Sequence, residues 1–389
     1  MVQFTMSERL LRIPEYIFVK LSRKKEELLK AGRNVIDLSI GDPDMPTPSL
    51  IIESLKKAVD NPAYHKYSPG KGFKPFREAA ARFYRNRYGV ELDPETEIHA
   101  LIGTKEGLGH LSLAILNPGD VALVPDPGYP AYAPTVGFAG GEVVRMPLVE
   151  KNEFLPELDA IPESVLKRTR LIFVNYPNNP TGAPAPLEFF QKVCDLARSY
   201  NFVVCQDNAY GDVFFEGDPP PSILNVPGAK EVAVEFYSLS KTFNMTGWRS
   251  GFVVGNREVV AGLSKVKSNL DSGVFGAVQA ASITALDNYE ALREIVLDPY
   301  RERRELLLPA IRAIGWHTSP KAATFYCWTR YSGDLKAFDL CLELMDKTGI
   351  IATPGTGFGE TGEGFIRFSL TAGTADIRKA AALLIEAYS

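Results

Sequence analysis

Short, unbroken apolar runs recur along the chain, each closed by a turn signal and followed by a longer helix-forming stretch. Val121-Ala-Leu-Val, Leu171-Ile-Phe-Val and Phe202-Val-Val-Cys are continuous rather than alternating, which predicts strands buried on both faces of a parallel sheet. Glu97-Ile-His-Ala-Leu-Ile-Gly and Val232-Ala-Val-Glu-Phe-Tyr-Ser read as two more strands, rich in β-branched and aromatic residues. Helices are predicted between them, among them one from Pro75 and one from Lys105. Strand and helix alternating in this way predict an α/β fold whose large domain is a doubly wound, mostly parallel sheet. From about residue 285 the pattern changes to long helices, such as Tyr289 to Ile311, with interspersed strands at Thr324-Phe-Tyr-Cys-Trp and Phe365-Ile-Arg-Phe-Ser-Leu. A smaller α+β domain is expected there. The expected division is an arm and part of the small domain at 1–45, the large domain at 46–284 and the small domain at 285–389.

The N-terminal segment carries the arm Arg12-Ile-Pro-Glu-Tyr-Ile-Phe, a charged helix through Lys24 to Lys30 and Gly32 at its C-cap. Val35 to Ile40 reads as a short strand leading into Gly41-Asp-Pro-Asp-Met-Pro-Thr-Pro, whose glycine and prolines fix an irregular segment. Gly41 there is either a plain turn glycine or a place where backbone closely approaches a ligand.

A chain of 389 residues exceeds one ordinary core and, at roughly 150 residues per domain, predicts two or three. With 45% apolar and 23% charged residues it has the composition of a globular protein. The net charge of −4 and the lack of a basic block argue against a nucleic-acid partner. Cys194, Cys205, Cys327 and Cys341 lie far apart without C-x-x-C spacing, so a reducing cytoplasm is expected. His65, His99, His110 and His317 lack metal-ligand spacing, and no metal is expected. The first residues carry no apolar targeting core, and no run of about 18 apolar residues follows. A secreted or membrane-spanning protein is not expected.

The chemistry gathers at strand ends. Thr104, Asn179, Asp207 and Lys241 each follow a predicted strand and are delivered to one edge of the sheet, where open α/β folds bind ligands. Lys241 lies in Ser238-Leu-Ser-Lys, with Arg249 eight residues on. A lone Ser-x-x-Lys is an ordinary solvated loop. With Arg249 beside it, it suits a lysine nucleophile toward a carbonyl cofactor whose phosphate a hydroxyl and a guanidinium hold. Gly103-Thr104-Lys105 opens a helix, either as a plain N-cap or as a phosphate site. Asp207 is either a helix cap or the partner of a positive charge such as a protonated pyridine nitrogen. Tyr129, between prolines, can lie flat on a ring, and Asn179 and Tyr210 can hydrogen-bond a ring phenolate. Arg367, mid-strand among apolar neighbours, needs a carboxylate, from a salt bridge or from a substrate. Tyr67 sits in a polar, glycine-bearing loop.

Nearly the whole chain resembles the class I/II aminotransferases, fold-type I pyridoxal phosphate enzymes. The resemblance rests on Asn-Asn-Pro-Thr-Gly with Asn179, Asp207-x-x-Tyr210, Ser238-x-x-Lys241 with Arg249, and Ile-Arg-Phe-Ser with Arg367, in the family's order. It implies pyridoxal 5'-phosphate held on Lys241, which also moves the proton, with Asp207 at the pyridine nitrogen and Asn179 and Tyr210 at the phenolate oxygen. It further implies Thr104, Lys105, Ser238 and Arg249 around the phosphate and Tyr129 on the ring. Arg367, with Gly41 and Asn179, is implied at the substrate's α-carboxylate. Tyr67 matches a tyrosine that reaches the neighbouring subunit's phosphate, which implies a homodimer with shared sites. Within the family, Pro14-Glu-Tyr-Ile-Phe, the Gly41 segment, Gly103-Thr-Lys-Glu-Gly and Val124-Pro-Asp-Pro-Gly-Tyr-Pro look most like LL-diaminopimelate aminotransferases, where Tyr16 and Lys105 match pocket residues. Alanine and glutamate–pyruvate aminotransferases share much of this. Some diaminopimelate enzymes place an acidic side chain in the loop after the Tyr67 equivalent, where this chain has Gly70. The implied reaction exchanges an amino group between an amino acid and 2-oxoglutarate by a ping-pong cycle. A lyase of the same fold is the enzymatic rival. A regulator carrying an added DNA-binding helix-turn-helix is disfavoured, because the motifs begin by Gly41.

Overall fold

The central element is a seven-stranded sheet, seen in a computed structural model that describes residues 4–11, 13, 18–319 and 322–388. In chain order its strands are β2 (Ile98–Leu101), β3 (Val121–Asp126), β4 (Glu142–Pro147), β5 (Thr169–Val174), β6 (Val203–Asn208), β7 (Ala233–Ser238) and β8 (Gly251–Gly255); β1 (Ile36–Asp37) lies elsewhere. The spatial order is β2-β8-β7-β6-β5-β3-β4. The pairings from β7 through β4 are parallel, while β8 runs antiparallel to both β7 and β2. β2 therefore points the same way as β7, and the C-terminal ends of β2, β3, β5, β6 and β7 open on one edge. The sequence pattern did not reveal β8, whose short apolar run is bounded by glycines, or β4, an edge strand with largely solvent-facing positions.

The unbroken apolar strands are buried along their length, as continuous hydrophobic runs in a covered parallel sheet must be. One apolar cluster packs Ile51, Phe76, Phe83, Phe190 and Phe252 against one face. A second, around Leu108, Leu111, Tyr132 and Phe173, fills the other.

A third cluster joins both ends of the chain. Leu21 and Leu28 of α1 (Phe18–Lys30) and Ile36 of β1 pack with Tyr300, Phe325, Leu344 and Phe368. β1 pairs in parallel with Ile350–Ile351, so the N-terminal segment completes the C-terminal lobe. That lobe also holds a four-stranded antiparallel sheet containing Tyr326–Arg330 and Phe365–Ser369. The strand expected from Thr324 begins at Tyr326, because Thr324 takes a left-handed backbone at φ 69°. The long helix expected from Tyr289 spans Tyr289–Ala313 and contains Pro299 and Pro309.

All four cysteines are buried and unpaired. Burial pushes the Cys194 and Cys327 thiols up to about 12, and raises Cys205 and Cys341 as well. Among the described residues no helix is long and apolar enough to cross a membrane.

Candidate active site

A cavity of about 590 Å³ opens where the parallel strands end, with the C-terminal lobe and α1 forming its other walls. Thr104, Lys105, Tyr129, Asn179, Asp207, Tyr210, Ser238, Lys241, Arg249, Arg367 and Gly41 all line it. Tyr67 does not line it and is 89% exposed. Tyr16 lies outside the described residues.

Lys241 is set by a local device. β7 stops at Ser238, whose hydroxyl caps the one-turn helix Leu239–Thr242 by accepting from the Ser240 N–H at 3.3 Å. The turn directs the Lys241 ammonium to the Gly41 carbonyl at 2.8 Å. Burial brings the Lys241 ammonium down to about 8; Asp42 opposes this, and the Arg367 and Arg249 charges add to it. A substantial fraction is thus neutral near physiological pH, the form a lysine needs to attack a carbonyl. Gly41 itself has no room for a side chain, since a Cβ there would sit 1.7 Å from the Tyr326 hydroxyl. The packing that excludes a side chain there is against Tyr326 of the protein itself, while the Gly41 carbonyl faces Lys241 in the cavity.

Asp207 ends β6 and is buried. Its Oδ2 accepts from the Tyr132 hydroxyl at 2.8 Å, while Oδ1 has no partner among the described residues. Burial lifts its carboxyl to about 6, although the Tyr132 hydroxyl and the Ala209 N–H pull the other way. An orphaned, buried carboxylate oxygen is costly, and a protonated ring nitrogen meets its need. Asn175 braces this corner, donating to the Asp207 carbonyl at 2.7 Å and accepting from the Asn179 N–H at 2.8 Å.

Arg367 has no ion pair among the described residues. Of the two carboxylate sources considered for it, a structural salt bridge is absent. Its guanidinium donates to Asn179 Oδ1 at 2.9 Å and to the Ser39 carbonyl at 2.7 Å, and Nε is unpartnered. It lies 3.9 Å over the Tyr326 ring, and the Tyr326 hydroxyl is 3.0 Å from that of Tyr210. A buried cation held only by neutral groups is suited to a visiting carboxylate.

The turn between β2 and α2 (Thr104–Ile115) provides the remaining corner. Gly103 has φ 73° and lies against Arg249, so close that a Cβ would be 2.2 Å from Nη2. Thr104 and Lys105 at the start of α2, Ser238, Ser240, Thr246 and Arg249 all line the cavity, and helix N-terminal N–H groups, hydroxyls and a guanidinium are the donor set a phosphate requires. The donor set, the orphaned Asp207 oxygen and the easily neutralised Lys241 together fit pyridoxal 5'-phosphate.

Sequence reasoning missed Tyr132, Asn175, Ser240 and Tyr326. Ser240 lay in plain view beside Lys241. Tyr132 and Tyr326 act through contacts distant in sequence, and Asn175, though only four residues from Asn179, shows its bond to the Asp207 carbonyl only in the fold.

The family model "aminotransferase class I and II" matches residues 33–384. An LL-diaminopimelate aminotransferase of Aquifex aeolicus (strain VF5) is 51% identical over 97% of this chain and 98% of its own. Another from Nitratidesulfovibrio vulgaris (strain DP4) is 48% identical over 98% of each chain. The solved structure of substrate-bound BacF from Bacillus subtilis superposes with a TM-score of 0.93 at 35% identity, covering 99% of this chain and 98% of its own. With a family match across most of its length and its strand-end residues gathered in one cavity, the chain belongs to the class I and II aminotransferases, enzymes that work with pyridoxal 5'-phosphate.

Proposed function

We propose that the enzyme moves an amino group from LL-2,6-diaminopimelate to 2-oxoglutarate by a ping-pong cycle. The observation that carries this is the identity of about half of all positions, over nearly the full length, with an enzyme named for that substrate. The charges on the cavity wall support it. Lys25 of α1, paired with Asp37 at 2.7 Å, lines the cavity together with it, which offers charge of both signs to the far end of a substrate. The runner-up is an alanine or glutamate–pyruvate aminotransferase. Donors offered singly with 2-oxoglutarate, read as glutamate formed, decide it: the diaminopimelate rate is expected to exceed the others. Brisk use of alanine with none of diaminopimelate moves the enzyme to the second class.

When bound, pyridoxal phosphate supplies an electron sink for the charge left when an α-proton is removed. Around it, Asp207 would hold a proton at the ring nitrogen, and Asn179 and Tyr210 would hydrogen-bond the phenolate oxygen. Thr104, Lys105, Ser238 and Arg249 would hold the phosphate, with Tyr129 beside the ring. Arg367, Asn179 and the Gly41 backbone orient the substrate carboxylate. Lys241, in its neutral form, would take the substrate's α-proton and return it.

The same reading makes the enzyme a cytoplasmic homodimer in which Tyr67 completes its partner's phosphate pocket; the exposure of this large side chain supports that. Residues 46–284 form the cofactor domain, and residues 285–389 with the arm at 1–45 form the smaller one. Lys241→Ala and an inactive charged Tyr67 variant, reassembled into mixed dimers, place both defects in one pocket. About half of wild-type activity per mixed dimer is then expected from the other pocket. Mixed dimers that stay inactive refute the sharing.

A further inference from the structure

Lys267 of α3 (Arg257–Leu270) is 1% exposed, and no step of the reaction uses it. A buried ammonium is retained only where its surroundings answer its charge. Its Nζ donates to Glu106 Oε1 at 2.7 Å and to both Asp271 oxygens at 2.8 Å. Glu106 stands in the first turn of α2, two residues after Thr104, and its Oε1 also accepts the Ile102 N–H at 2.8 Å. The carboxylate thus spans the turn Ile102-Gly103-Thr104 from its far side. His110, one helical turn on, places Nδ1 at 2.6 Å from Glu106 Oε2. Asp271 Oδ1 accepts the Gly273 N–H at 2.8 Å, which fixes the other end of the network.

Two features make this more than a structural ion pair. The bridged turn is the one on which Arg249 lies so closely that Gly103 cannot carry a Cβ, so a small displacement of the turn changes where both meet a ligand. A carboxylate in the first turn of a helix also opposes an anion bound at that N-terminus, and Lys267 offsets its charge. Glu106, His110 and Asp271 have ligand atoms within 4.8 Å of one another, a spacing a cation bridges, and the Lys267 ammonium, bonded to two of them, is that cation. Burial works against charge on Glu106, yet His110 and Lys267 outweigh it and hold the carboxyl below its ordinary value.

We propose that the Glu106–Lys267–Asp271 network positions the Ile102–Thr104 turn for the cofactor's phosphate, making Glu106 and Lys267 positioning residues for cofactor capture. The proposal rests on the phosphate reading above. Full-length apoenzyme is titrated with pyridoxal phosphate and separately with pyridoxal, which lacks the phosphate, following the visible band. Lys267→Met and Glu106→Gln are each compared with Arg249→Ala, and circular dichroism confirms folding. Should Lys267→Met not fold, Glu106→Gln, which keeps the side chain's size, carries the test. Both variants are expected to weaken pyridoxal phosphate by ~10-fold, the worth of one charge-assisted hydrogen bond, with pyridoxal unchanged. Equal weakening of both ligands shows a merely structural role, and no change in either shows none; each overturns the proposal. If instead wild type does not prefer the phosphorylated ligand, or Arg249→Ala has no effect, the phosphate reading itself falls and takes the proposal with it.

Discussion

Lys241→Ala is expected to leave no measurable transamination and no visible band on addition of pyridoxal phosphate. The residue is the one lysine lying where β7 ends, bonded to the Gly41 carbonyl and facing Asp207 and Arg367 across a single cavity. In the role proposed for it the lysine is both attachment point and proton carrier, so the fall should exceed about 10⁴-fold, the upper range for one acid–base group. Cofactor can still bind through Arg249 and the α2 turn, so the variant separates binding from attachment. In wild type the same lysine sets a pH signature. With its ammonium at about 8, the neutral fraction climbs roughly tenfold between pH 7 and 9 and then levels, and capture of the aldehyde by apoenzyme should follow. An ordinary lysine would keep climbing past pH 10. A variant that retained the visible band would falsify the assignment of Lys241.

Arg367→Ala is expected to weaken every substrate of both half-reactions alike. Donor and acceptor share a carboxylate, and Arg367 offers a buried, unpaired fork between Asn179 and Ser39. Losing one partner of a buried, hydrogen-bonded charge pair costs roughly 2–5 kcal/mol, about 30- to 5,000-fold in kcat/KM. Arg367→Lys should recover part of this, because a point charge keeps the attraction and loses the bidentate geometry. The measurement is kcat/KM for the amino donor and for 2-oxoglutarate. A loss confined to one donor would make Arg367 a specificity residue instead.

The elements that position this site were legible because their physics is local. A continuous apolar run such as Leu171-Ile-Phe-Val marks a buried strand whatever surrounds it, and polar residues within a few positions of its end mark the edge where ligands bind. Asn179, Asp207 and Lys241, which all line one cavity, were picked out in that way. Tyr132 was not, because its bond to Asp207 joins residues 75 apart and nothing near either one announces it. The same holds for Tyr326, which closes against Gly41 within the smaller lobe although the two are far apart in sequence. Arg367 was flagged by its charge among apolar neighbours, but the identity of its holders, a neutral amide and a backbone carbonyl, depends on how the lobes meet. β8 went unseen because its apolar run, Phe252-Val-Val between glycines, is too short to stand out from a turn.

The four cysteines have a practical side. Thiol reagents act on exposed thiolates, and every native thiol here is sealed in a core and held protonated at neutral pH. For labelling purposes the wild-type chain is therefore already blank, and none of those core positions has to be emptied, with the cavity each deletion would leave. A Tyr67→Cys variant would carry the one exposed thiol among the described residues, so its reactivity toward a thiol reagent would read directly whether a second subunit covers that loop.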